Sequence, residues 1–287
     1  MNKINKLIFL FFAVSAVICG CGRKQQEIVI IPDIERNHLQ RNHIFGNVCE
    51  IISESYALPA DSTASDTNGN PLSTVIHKYS PDGYLTEVIK IGGSGDTISK
   101  QIISYSPEAK ELTRETYNSS GNLDSKTIFD YNHFGFKSKE TLYIADSVIY
   151  SIDYKTDGAG NIIEMKRHGD GLTLLSRIAY NKAGLVARIE EYEPSGKIFK
   201  YATIEYDNYG DEVNRRVFKT GDELIEYTYT EYNQQGHTLK KIYEDRLHSI
   251  REVAEYSAHD KAGNWTYEKK SINNKPAYCR KRIIKYY

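Results

Sequence analysis

The chain has no excess of charge of either sign. Lys and Arg number 37 against 38 Asp and Glu in 287 residues, a net charge of −1. No basic patch or tail stands out, which argues against nucleic acid as a partner. No apolar run approaches the ~20 residues a transmembrane helix needs. The sequence has no His-x3-His, Cys-x2-Cys or Asp-x-Asp-x-Asp-Gly spacing, so metal binding has no support, and no cofactor is expected. Gly-x-Ser-x-Gly is missing, and Gly92-Gly93-Ser94-Gly95-Asp96 lacks the Lys-Ser/Thr of a phosphate loop. Glu190 and Glu191 are adjacent on a predicted strand and point to opposite faces. The expectation is a protein that is not an enzyme.

What is present begins with a short basic start, Lys3 and Lys6, and a 12-residue apolar stretch from Leu7 to Ile18, broken only by Ser15. This is the pattern of an export signal. It ends in Ile18-Cys19-Gly20-Cys21, which resembles the lipobox of bacterial lipoproteins. Cys19 at the second position is unusual for that motif. The resemblance implies that residues 1–20 are removed and that Cys21 carries lipid, anchoring the chain to a bilayer. Two or more acyl chains hold firmly, at ~0.8 kcal/mol per buried methylene. Residues 21–42 read as a polar tether.

A tyrosine followed four residues later by glycine occurs eight times, for example Tyr79/Gly83, Tyr131/Gly135, Tyr180/Gly184, Tyr206/Gly210 and Tyr232/Gly236. With Tyr105, Tyr154 and Tyr256 the main beat advances in steps of 23 to 26 residues, a repeat architecture. Tyr117 and Tyr192 mark a half-beat. Between turns the residues alternate in polarity, as in Ile198, Ala202, Ile204 and Tyr206 on one parity, which predicts half-buried strands. Asn or Asp after the tyrosine, with glycine three residues on, fits a type I turn closed by a left-handed residue, the G1-bulge hairpin. The tyrosine ring is expected to pack beside the hairpin.

Residues 43–287 therefore form one all-β domain. It is a consecutive antiparallel meander of about 16–18 short strands, two per ~26-residue unit, and sheets that large curl. The expected form is a shell, a barrel-like coil or two layers. The Tyr-Asp-x-x-Gly-Asn units resemble the YD repeats of the RHS family, and the array is similar to short YD-repeat lipoproteins of Bacteroidetes. Variants of the unit include Asp157-Gly158-Ala159-Gly160-Asn161 and Asp260-Lys261-Ala262-Gly263-Asn264. The array is far shorter than full RHS proteins and lacks their core junction and toxin domain, so their encapsulating role is not carried over.

Several residues remain as candidates. Cys49 and Cys279 lie near the two ends of the array; they are either two unpaired thiols, the plainer reading, or a disulfide if the sheet's ends meet. Tyr201, Tyr227, Tyr229 and Tyr243 are off the beat and would form a ligand platform if they shared an exposed face. Ser62, Thr97 and Ser147 sit in tripeptides resembling the Asp-Ser/Thr-apolar O-glycosylation acceptor of Bacteroidetes envelope proteins. The expected function is a lipid-anchored envelope protein, placed at the outer membrane, whose sheet is a scaffold or a surface for another envelope protein. The alternatives are a carbohydrate-binding surface lipoprotein, and a toxin-related or enzymatic factor with an unrecognised site.

Overall fold

The computed structural model describes residues 36–58, 69–169 and 171–287. The signal 1–20, Cys21, the first part of the tether and Ser62 lie outside the described residues. A single-turn helix, α1 (His38–Arg41), precedes eighteen strands. These are β1 (Val48–Ala57), β2 (Ser73–Tyr79), β3 (Leu85–Gly92), β4 (Thr97–Tyr105), β5 (Glu111–Asn118), β6 (Leu123–Tyr131), β7 (Lys137–Ile144), β8 (Ser147–Thr156) and β9 (Ile162–Gly169). The second half comprises β10 (Leu172–Tyr180), β11 (Val186–Tyr192), β12 (Ile198–Tyr206), β13 (Glu212–Lys219), β14 (Glu223–Tyr232), β15 (Thr238–Asp245), β16 (Ile250–His259), β17 (Trp265–Ile272) and β18 (Lys275–Tyr286).

Each strand pairs antiparallel with the next, and β18 pairs antiparallel with β1, from Val48 opposite Tyr286 to Ala57 opposite Tyr278. Of the three expected forms, the sheet takes the closed barrel, which abolishes both edges. Closure answers the curl built into so many twisted strands.

The eight turns from β2–β3 to β16–β17, all on the main beat, ring one mouth, here called the near mouth. The remaining connections ring the distal mouth. The turn chemistry is as the spacing predicts. In the β10–β11 turn, Asn181 Oδ1 accepts from Ala183 N at 2.9 Å and Leu185 N at 3.0 Å, and Gly184 N donates to Asn181 O at 3.1 Å. The same pattern recurs at Asn132, Asp157, Asp207, Asn233 and Asp260. Gly184 and Gly210 have φ of 75° and 84°. Gly210→Val is expected to lower stability by more than ~1 kcal/mol, read by chemical unfolding, because a β-branched residue resists positive φ.

Two details depart from the simple beat. After Tyr154 the left-handed glycine is Gly160, not Gly158, because the turn starts three residues later at Asp157. At the β4–β5 turn, where the glycine is missing, Ala109 takes φ of 59° in its place.

The tyrosines do more than pack. Five main-beat hydroxyls donate to a backbone carbonyl in the preceding unit, among them Tyr105 to Leu85 O at 2.6 Å, Tyr131 to Glu111 O at 2.8 Å and Tyr206 to Val186 O at 2.8 Å, whereas Tyr154 donates to the Glu140 carboxylate. Tyr180 and Tyr232 do likewise, and Tyr287 carries the ring across the closure to Tyr79 O. Half-beat hydroxyls instead donate to a glutamate two residues back, as Tyr117 to Glu115 and Tyr192 to Glu190. Main-beat tyrosines face the lumen; half-beat tyrosines face outward near the distal mouth.

The lumen holds the largest buried residues of the wall, including Ile51, Tyr79, Ile103, Phe129 and Ile204. It also holds charge. Glu268, only 4% exposed, lies with its carboxylate 3.0 Å from the Arg280 guanidinium, without the alignment of a hydrogen bond. Arg282 stacks 3.3 Å above the Trp265 ring, and burial, reinforced by Arg280, pushes its pKa down to about 10.

Candidate functional site

The near mouth is covered by the chain's own N-terminal segment. Residues 36–42, assigned by sequence to the tether, are instead packed against the mouth together with 43–47. Asn37 caps α1 by accepting from Gln40 N at 2.9 Å, and Leu39 is buried against Val48, Ile51 and Tyr79. The segment is fastened turn by turn. Asn37 Nδ2 donates to Asp82 O at 2.8 Å, Leu39 N to Gly83 O at 3.3 Å, and Arg36 to Gly210 O at 3.1 Å. His43 lies 3.5 Å from Asp211, whose pKa burial raises against the pull of His43. Asn264 makes the tightest anchor: it accepts from Phe45 N and donates to Phe45 O, both at 2.8 Å.

Adjacent residues Arg36 and Asn37 thus reach turns on opposite sides of the ring, β12–β13 and β2–β3. Two neighbouring side chains span only ~20 Å, whereas a round 18-strand barrel with ordinary tilt would be roughly 35 Å across. The mouth is narrow along this line, which lets one short segment close it.

Beneath the segment lies a cavity of about 570 Å³. From the segment it is lined by Arg36, His38 and Arg41, and from the wall by Tyr84, Tyr105, Tyr131, Tyr180, Lys110, Glu111 and Lys137. Arg114 lies behind, 2.7 Å from Glu111. Lys137 Nζ sits 4.2 Å above the Phe129 ring and 5.6 Å from that of Tyr154, and burial lowers its pKa. His38 is likewise held below the ordinary imidazole value, by burial first and then by Arg41 and Arg114.

The outer wall is of a different kind. Cross-strand ion pairs circle it: Glu87 between Lys78 at 3.2 Å and Lys100 at 3.6 Å, Lys126 with Glu115 at 2.8 Å, Arg216 with Glu205 at 2.6 Å, and Lys285 with Glu50 at 2.6 Å. Such pairs add little stability each. As a lipid-facing surface they would be costly, since Arg or Lys at a bilayer midplane costs ~2–4 kcal/mol apiece.

The four off-beat tyrosines do not form one platform. Thr228 is the partner of Tyr243, whereas Tyr227 pairs with Glu244 and Tyr229 with Ile242, so Tyr243 points to the lumen and the other two point out. All three positions are odd, but the register sets odd positions of β14 opposite even positions of β15, so tyrosines of like parity fall on opposite faces. On the outside, Tyr201 stacks on Phe218 at 4.9 Å, with Arg188 at 4.0 Å from the Tyr201 ring. The Tyr201 hydroxyl is taken by Asp222 and that of Tyr227 by Asn214.

The sheet's ends do meet, but the register parts the cysteines. Cys279 is the partner of Tyr56, whereas Cys49 sits beside Val48, seven residues up the ladder, at ~3.4 Å per residue far beyond disulfide reach. Both thiols are free, and Cys279 is fully buried. Thr97 and Ser147 open β4 and β8, and both are exposed at the distal mouth. Among the described residues no group of three or more His, Cys, Asp or Glu is placed to hold a metal.

Sequence reasoning missed the segment in the mouth and the cavity under it. The one visible signal was Gly46-Asn47-Val48, which resembles an opening turn; nothing in the polarity of residues 36–45 foretold contact with Asn264, 219 residues away.

No family model matches the chain, and no curated protein does. Among solved structures, it is similar to a porin-like protein from Bacteroides uniformis, with 12% identity, a TM-score of 0.45, and coverage of 84% of this chain and 98% of that one. A porin-like protein from Bacteroides vulgatus gives 10% identity and a TM-score of 0.34, with coverage of 84% and 98%. The TcdB2–TccC3 structure without its hypervariable C-terminal region gives 11% identity and a TM-score of 0.34; 71% of this chain aligns to 14% of that one.

Proposed function

We propose that the chain is a lipid-anchored, non-enzymatic protein of the cell envelope, held at the outer membrane through Cys21, with the barrel as a scaffold and interaction surface beside the bilayer rather than within it. The observation that carries this reading is the belt of ion pairs on the outer wall. A wall so charged suits water, which leaves attachment to the N-terminal cysteine.

The near mouth is where the chain arrives. Fifteen peptide steps separate Cys21 from Arg36, a reach of at most ~50 Å. The near mouth would therefore face the membrane and the distal mouth would face away. The distal rim carries exposed aliphatic side chains from connection after connection, including Leu72, Ile98, Leu123, Val148, Leu172 and Leu247. Exposed apolar surface of this extent supports a docking role for that end.

Replacing Cys21 by Ser tests the attachment. The variant is expected to move from the membrane fraction to the soluble fraction of the envelope, and to lose incorporation of radiolabelled palmitate. A barrel that stays with the membrane after C21S would refute the reading.

A further inference from the structure

We propose that the cavity beneath the N-terminal segment binds a small anionic ring compound, of the class of a sugar acid or sugar phosphate. Its volume of about 570 Å³ lies in the range of ligand pockets and admits one or two sugar rings. The argument rests on charge. Lys110 and Lys137 line the space, beside Arg36 and Arg41, which have interactions of their own, and Glu111, the one carboxylate among the described lining residues, lies 2.7 Å from Arg114.

Lys110 and Lys137 have no carboxylate within ion-pair distance among the described residues; each ammonium rests over an aromatic ring instead. Glu140, on the same strand and face as Lys137, is occupied by the hydroxyls of Tyr154 at 2.8 Å and Tyr150 at 3.4 Å. Cations gathered around a partly dry cavity repel one another, and an entering anion relieves that cost. Three buried polar atoms at the site, His38 Nδ1, Arg114 Nε and Glu111 Oε1, also lack a hydrogen-bond partner among the described residues.

Ring surface supplies the second requirement. The hydroxyls of Tyr105, Tyr131 and Tyr180 are spent on backbone carbonyls, so these side chains offer ring faces and edges to the cavity. Tyr84 and Tyr105 lie 5.5 Å apart at 50°, with the His38 ring edge-on to them at 6.1 and 6.5 Å, a three-ring cluster at the cavity wall. Such surface packs against the apolar face of a sugar ring. Burial and the adjacent Arg41 and Arg114 favour neutral His38, which can accept from a ligand hydroxyl.

The full-length protein is titrated calorimetrically with glucuronate, glucose 6-phosphate, glucose and inorganic phosphate. One of the two anionic sugars is expected to bind with Kd below roughly 1 mM, and glucose and inorganic phosphate at least tenfold more weakly. Which anionic sugar binds tells carboxylate from phosphate. Lys110→Gln and Lys137→Gln are each expected to weaken binding tenfold or more. Lys110 lies at a turn, so its variant carries the test alone if the Lys137 variant misfolds. Equal binding of glucose or of inorganic phosphate, absence of binding by both anionic sugars, or unchanged affinity in Lys110→Gln would overturn the proposal.

Discussion

Glu268→Ala is expected to destabilise the barrel by ~1–3 kcal/mol, because it strips the carboxylate from Arg280, a half-buried charge on the lumen wall. The carboxylate lies 3.0 Å from Arg280, and Arg282 is on the same face of β18. Without Glu268, two guanidiniums share the lumen wall with no carboxylate between them. Burial, with Arg280 beside it, already pushes the pKa of Arg282 down. Urea unfolding measures the loss. The paired replacement Glu268→Leu with Arg280→Met is expected to recover most of it, since removing both charges removes the desolvation cost as well as the attraction. A loss below ~1 kcal/mol in Glu268→Ala would mean that the lumen is wet enough to solvate Arg280 alone.

Asn264→Ala carries the second large effect, ~2–4 kcal/mol, from three hydrogen bonds at a side chain only 3% exposed. Two go to the N–H and C=O of Phe45 and the third joins the Tyr286 hydroxyl at 2.8 Å. Alanine leaves the Phe45 amide half-buried with no acceptor. The loss should be local as well as global. The bond from Arg41 to Asn42 is expected to become open to trypsin well below the unfolding transition, because the segment's firmest anchor to the mouth is gone. Unchanged cleavage at Arg41 would show that Leu39 and Asn37 hold the segment without Asn264.

These two sites show what a sequence of this type discloses. The period made the turns legible, because the turn chemistry is local: Asn181, Gly184 and Leu185 satisfy one another within five residues. Strand count followed from the period, and the curl from the count. Closure did not follow, because a shell and a barrel share the same local pattern and differ only in whether β18 meets β1.

Facing was legible within a strand but not between strands. Tyr229 and Tyr243 look alike along the chain, yet the β14–β15 register sends one out and one in. Interior charge was hidden for a related reason. Nothing in the local pattern marks Lys270, Arg280 and Glu268 as interior; the register turns them into the lumen, where their partners come from neighbouring strands. The cavity was least visible of all. It is assembled from a segment before β1 and from turns spread over a hundred residues, and no window of the sequence contains it.

The pairing of the first and last strands is the claim on which barrel, mouth and cavity all depend. In a background of Cys49→Ser and Cys279→Ser, Ile52→Cys with Ile283→Cys places two thiols on directly opposed residues. Mild oxidation is expected to give a near-quantitative disulfide within one chain. Ile52→Cys with Lys281→Cys, one diagonal step out of register, is expected to give little. Equal yields from the two pairs, or none from the first, would contradict closure in this register.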